Sequence, residues 1–152
     1  MNVIEFLDET RDKYEVTQHR PTFTAQQMAA EEHVPGMQVA KPVLIRVEYE
    51  HYLCVLPACC KVDLDALKDQ LGVDDVELAD ESEMANLFPD VALGAEPPFG
   101  EMYGMLTFMD RSLESCDHIV FQGGSHDTAI RMEVADYKRL ANPQIFSFSY
   151  HV

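Results

Sequence analysis

The chain has 152 residues, with 27 Asp and Glu against 11 Lys and Arg, for a net charge of −16. That length suits one domain with a full core, and that charge excludes a general basic surface for DNA or RNA. No run approaches the roughly 18 apolar residues of a membrane span. Residues 1–9 lack the basic and apolar regions of a signal peptide, so a cytoplasmic protein is expected, with Cys54, Cys59, Cys60 and Cys116 as reduced thiols.

In chain order, Val3, Ile4, Phe6 and Leu7 recur at helical spacing and predict a helix over about 2–12. Residues 14–20 alternate and read as a strand that stops at Pro21. Thr24 with Gln27 is a capping-box pattern opening a helix over 25–33, closed near Pro35-Gly36. The β-rich runs 37–47 and 52–58, joined by polar 48–51, predict a hairpin. Asp63 can cap a helix with Leu64, Leu67 and Leu71 on one face; a short strand over 76–78 and a short helix over 81–87 follow. Beyond a Pro/Gly loop at 94–100, strands are predicted at 105–109, 118–121 and 129–132, a helix at 134–140 and a last strand at 144–150. Helices and strands interleave, yet several connections look like hairpins. The expectation is α+β, a single domain over 1–152 with a mixed, mostly antiparallel sheet.

The chemistry concentrates in three places. Gly94-Ala-Glu-Pro-Pro-Phe-Gly100 packs two glycines, two prolines and an aromatic into seven residues. Proline fixes φ and removes an N–H, while glycine permits φ > 0 and close approach, so the segment is a stiff, shaped loop. Lys41 interrupts the apolar run 39–45 on the face shared by Val39, Val43 and Ile45, where a cation must pair, reach water or line a pocket. Gly123-Gly124-Ser125-His126 follows the apolar strand Ile119-Val120-Phe121, and its glycines bring backbone close to a turn partner or a ligand. Ser125 and His126 are adjacent and point apart, so they form no catalytic pair by themselves. The Cys and His spacing supplies no complete zinc set, and no phosphate loop or dinucleotide fingerprint occurs. His19, Arg20, Lys41, Arg46, Arg131, Lys138 and Arg139 are the cations from which a local basic patch would have to be built.

Taken in order, 21–25 opening a helix, Ala40-Lys41-Pro42, 94–100, Gly123-Gly124-Ser125-His126, then Ile130-Arg131-Met132 and 136–140 resemble the YbaK/ProX-type aminoacyl-tRNA deacylases, relatives of the editing insertion of bacterial prolyl-tRNA synthetase. The resemblance covers about 14–150. It implies a barrel-like sheet surrounded by helices and hydrolysis of the ester between a wrong small amino acid, such as alanine or cysteine, and its tRNA, tRNA-Pro among them. It implies no metal and no cofactor. The partners would be the acceptor end of aminoacyl-tRNA and an aminoacyl-tRNA synthetase, with no DNA and no membrane. The family's lysine maps to Lys41, its Gly-x-x-x-Pro loop to Gly94 and Pro98, and the histidine of its alanine-editing branch to His126. Thr22 and Phe23, Glu96, Pro97, Phe99 and Gly100, and Gly123, Gly124 and Ser125 would line the substrate site, Glu96 being a candidate for the α-ammonium. A net charge of −16 implies weak or salt-sensitive tRNA docking. Two alternatives stand beside this reading: a non-catalytic small-ligand or protein-binding module of the same fold, and a small-molecule ester hydrolase.

Overall fold

The computed structural model describes residues 2–10 and 13–152. The first helix, α1 (Val3–Thr10), is fixed at its start by Asn2, whose side chain accepts from the Glu5 N–H at 2.8 Å, and it buries Val3 and Leu7. Residues 11 and 12 of the predicted helix lie outside the described residues. Strand β1 (Glu15–Gln18) is followed by α2 (Ala25–Glu31). The Thr24 hydroxyl accepts from the Gln27 N–H as expected, but the Gln27 side chain takes the Phe23 N–H instead of closing the box on Thr24.

The hairpin forms between β2 (Ala40–Val47) and β3 (Glu50–Pro57), with Lys41 opposite Leu56 and Val43 opposite Cys54. It starts later than predicted. Residues Gly36–Gln38 make a 3₁₀ turn, and a Cβ on Gly36 would stand 3.2 Å from that of Cys59. Next come β4 (Cys60–Val62), α3 (Leu64–Leu71), β5 (Val76–Leu78) and α4 (Glu81–Leu87). Asp63 caps α3 through the Ala66 N–H, and Asp80 and Glu83 form a full capping box on α4. The remaining elements are β6 (Leu106–Asp110), β7 (His118–Gln122), β8 (Thr128–Glu133), α5 (Val134–Ala141), β9 (Gln144–Phe146) and β10 (Ser149–His151).

The predicted strand over 144–150 is two strands. Asp110, 3% exposed, accepts from the Phe148 N–H at 2.9 Å, and the Phe148 carbonyl accepts from Asp63 at 2.7 Å. Those bonds turn the Phe148 ring inward and pass the chain from β6 to β4.

The strands form a five-stranded sheet, β5-β2-β3-β6-β9, a three-stranded sheet, β1-β8-β7, and the pair β10-β4. Most pairings are antiparallel; β3–β6 and β6–β9 are parallel. The α+β class with a mixed sheet is as expected. Among the described residues the sheets do not close into a full barrel; just before β2, Val39 forms an isolated parallel bridge with Val120 of β7. Between the sheets lies the main core, with Phe99, Phe121, Ile130 and Tyr137 fully buried. A smaller cluster, Met28, Ala29, Val39, Ala58, Val120 and Ala129, seats α2 over the bridge. Burial of that apolar surface, at about 25 cal/mol per Å2, is what holds α2 against both sheets.

Candidate functional site

The site is assembled by backbone more than by side chains. Thr22 and His126 exchange two bonds: the Thr22 N–H donates to the His126 carbonyl, and His126 Nδ1 lies 2.9 Å from the Thr22 carbonyl. A carbonyl can only accept, so Nδ1 carries the hydrogen, and Nε2 of the neutral ring is left as an acceptor. The Phe23 ring packs on the imidazole at 4.9 Å while remaining 69% exposed.

The 94–100 loop is sewn to this turn. Gly124 donates to the Ala95 carbonyl at 3.0 Å and accepts from Ala92 at 3.2 Å. Gly94 has φ +90°, a region closed to most side chains, and a Cβ there would stand 3.4 Å from His126 Cε1. The Glu96 carboxylate, 2% exposed, accepts the Gly94 N–H at 3.0 Å. It therefore braces the loop from inside. Ala95, Phe99 and Gly100 also donate within the protein, to Ala92, Pro97 and the Thr107 hydroxyl, and Pro97 and Pro98 have no N–H. Among the described residues this leaves the Glu96 N–H as the one backbone donor of the loop without a protein acceptor.

Other predicted site residues go elsewhere. The Phe99 ring is fully buried among Phe6, Phe121 and Tyr137. At Gly100 a Cβ would come within 2.8 Å of the Met105 carbonyl, so packing alone demands glycine. Gly123 donates to the Thr128 carbonyl, and the Ser125 hydroxyl bonds Asp127 and Thr128, which makes both parts of the turn. The Pro98 carbonyl accepts from the Tyr137 hydroxyl at 2.6 Å.

Lys41 is half-buried on the apolar face predicted for it. Its ammonium donates to the Ala58 carbonyl at 3.3 Å, which Gln26 of α2 shares. Burial lowers the Lys41 pKa from its ordinary value. No hydrogen bond or ring contact among the described residues joins Lys41 directly to His126 or to the loop. The link runs through the strands: Lys41 and Gln122 each lie two residues beyond the Val39–Val120 bridge, on the face covered by α2.

The sequence did not single out Gln122 or Tyr137, which bond to Thr22 and to the Pro98 carbonyl. Gln122 is 5% exposed; its Nε2 donates to the Thr22 hydroxyl at 3.4 Å, and its Oε1 has no partner among the described residues. The signal for it was a single amide ending an apolar strand just before two glycines.

Among the described residues, four of the seven proposed cations are ion-paired. Arg20 pairs with Glu31, Arg46 with Glu77 and Glu83, Lys138 with Glu114, and Arg139 with Asp136. No group of three His, Cys, Asp or Glu among the described residues is placed to hold a metal ion. All four cysteines are free.

Residues 19–140 match the model of the aminoacyl-tRNA editing domain. The chain belongs to that family. It is 32% identical over 116 residues to the multifunctional Ser/Thr-tRNA deacylase ProXp-y of Escherichia coli K12, covering 73% of this chain and 69% of that protein. It is 29% identical over 100 residues to the prolyl-tRNA editing protein ProX of Acetoanaerobium sticklandii, covering 64% and 60%. The fold is that of the solved protein APE2540 (TM-score 0.88, 19% identity, 97% and 99% coverage). It is also that of a candidate trans-editing enzyme for prolyl-tRNA synthetase (TM-score 0.84, 21% identity, 97% and 94% coverage). The activity class of this editing-domain protein follows: aminoacyl-tRNA editing by hydrolysis of the aminoacyl ester. Among the described residues, no helix is long and apolar enough to cross a membrane.

Proposed function

We propose that residues 1–152 act as one cytoplasmic domain that hydrolyses, in trans, the ester of a mischarged tRNA carrying a small amino acid such as alanine or cysteine, with tRNA-Pro among its substrates. The observation that carries this is the closure of Gly94 on His126, both held by backbone bonds, in a chain of the editing family.

The tRNA 3′ end enters over Phe23, with Lys41 leaving Ala58 to hold the terminal phosphate or ribose. Water attacks the ester carbonyl, the bond to the ribose oxygen breaks, and that oxygen takes a proton, with the vicinal hydroxyl assisting. The Glu96 N–H, the donor left over in the loop, faces the developing oxyanion; one such preorganised donor contributes about 10²–10³ in rate. His126 Nε2 accepts from the attacking water or from the ribose. The Glu96 carboxylate accepts from the Gly94 N–H through one oxygen and so positions the loop.

The two named relatives differ in what they are named for, Ser/Thr-tRNA in one and prolyl-tRNA editing in the other. The amino acid is therefore set by this chain's own pocket. A synthetase partner would supply the tRNA affinity that ion-paired cations and a charge of −16 withhold. Those same features favour, as second reading, a small-molecule ester hydrolase. The test is release of amino acid from a panel of mischarged tRNAs beside the matching amino-acid ethyl esters, with wild type, Lys41→Ala and His126→Ala. The proposal predicts turnover on tRNA that both variants lose; turnover on ethyl esters alone selects the second reading.

A further inference from the structure

We infer that Met37, Cys59 and Cys60 form a binding site for monovalent copper, and that filling it withholds Lys41 from the substrate. The site stands apart from the editing reading above; its effect on Lys41 rests on that reading.

The three sulfurs sit on two turns packed against each other. A Cβ on Gly36 would stand 3.2 Å from that of Cys59, so glycine lets the 36–38 turn lie on the turn at 58–60. The Ala58 N–H donates to the Gly36 and Val39 carbonyls, and the Cys59 carbonyl accepts from Val152 at 3.1 Å. Held in this way, the Cys59 thiol meets the Met37 thioether at 3.1 Å. The Cys60 thiol lies within bonding reach of Cys59 and of the Ser149 hydroxyl. All three sulfur residues pack in one apolar cluster with Leu56, Phe108 and Phe148. A cavity of about 420 Å³, lined in part by Met37, Cys60, Ser149 and His151, gives a cation its way in.

The donors choose the metal. Two thiols and a thioether are soft ligands, and a thioether adds nothing for a hard cation. Structural zinc takes a tetrahedral set, and among the described residues no third His, Cys, Asp or Glu joins the two thiols. Monovalent copper needs fewer ligands and prefers sulfur. Burial raises the Cys60 pKa, so the thiol keeps its proton until a metal takes that place. One Cu⁺ displaces both thiol protons to solvent and bonds the two thiolates and the thioether, with no change of oxidation state. The copper thiolate is left anionic. The Lys41 ammonium bonds the Ala58 carbonyl beside Cys59 and lies in electrostatic range of both cysteines. It supplies the counter-charge, and a lysine pinned there cannot swing out to a phosphate or ribose.

The experiment titrates reduced protein, under nitrogen, with Cu⁺ competing against a chromophoric Cu⁺ chelator, and then assays deacylation of mischarged tRNA. Wild type should take up a single equivalent. Cys59→Ser and Cys60→Ser should each weaken uptake about tenfold or more. Met37→Leu, a volume-conserving change, should weaken it too, with circular dichroism confirming the fold. Cys116→Ser, whose native thiol donates to the Met37 carbonyl at 3.5 Å, should match wild type. No uptake by wild type, or wild-type affinity in the folded Cys59, Cys60 and Met37 variants, overturns the site; if the serine variants fail to fold, Met37→Leu decides. Copper-loaded wild type should deacylate about tenfold slower or less, recovering when excess chelator strips the metal, while Cys59→Ser stays indifferent to Cu⁺. Bound copper with unchanged deacylation overturns the effect on Lys41 and leaves the site. No deacylation by copper-free protein overturns the editing reading and that effect with it, while binding alone still decides the site.

Discussion

Gly94→Ala separates a working loop from a mere connection. At φ +90° an L side chain is strained by about 1–3 kcal/mol whatever the space. The new Cβ also meets His126 Cε1 at 3.4 Å, at the edge of ordinary contact, so relief of the backbone strain pushes on the imidazole. A reacting group displaced by about 1 Å can lose about 10²-fold in rate. The variant should therefore lose about 1–3 kcal/mol of stability and about 10- to 100-fold in kcat/KM. Gly72→Ala is the control. Gly72 closes α3 at φ +67°, and an added methyl there would find nothing within 4 Å, so it carries comparable strain and touches nothing. Thermal unfolding by circular dichroism and deacylation of mischarged tRNA, run on both variants, give the comparison. If Gly94→Ala loses stability as Gly72→Ala does but keeps wild-type kcat/KM, the 94–100 loop only connects elements and takes no part in the reaction.

Tyr137→Phe removes the 2.6 Å bond to the Pro98 carbonyl in a fully buried setting and should cost about 1–3 kcal/mol in urea unfolding; an unchanged midpoint would mean that the loop is braced elsewhere. The Glu83 carboxyl is held at about 2, first by His51, then by the Asp80 backbone and Arg46. A depressed folded pKa gives stability that is full above the ordinary value of 4.5 and lost as pH falls toward 2. Acid titrations of Tm should show that part of the slope disappear in Glu83→Gln; identical slopes would contradict the Arg46–Glu83–His51 linkage between the hairpin and α4. Deacylation should survive exhaustive chelation, since the Cys and His spacing offers no ligand set; activity lost to chelator and restored by zinc would overturn the mechanism.

Local signals were legible where one residue decides a local bond. Asp63 and Thr24 announced their helices, and Pro35-Gly36 marked the end of α2. Pairing between distant strands was not legible. Nothing in 52–57 or 106–109 says that β3 and β6 run parallel, because the loops between them carry the choice. The break at Phe148 depends on Asp110, 38 residues earlier. Gly94 and His126, 32 residues apart and read from separate motifs, lie side by side in the structure, a Cβ on Gly94 standing 3.4 Å from His126 Cε1. Phe99 and Gly100 share the same motif yet face the core, a distinction that residue type alone cannot make.

The most direct test of the central claim is the rate at which wild type and Lys41→Ala release amino acid from mischarged tRNA under excess substrate. Lys41 is a half-buried cation whose only hydrogen bond among the described residues goes to the Ala58 carbonyl, so its removal opens little space and disturbs little packing. The account predicts repeated turnover by wild type and loss to the spontaneous rate in a folded Lys41→Ala. Equal turnover by the two proteins, or none by wild type, would contradict it.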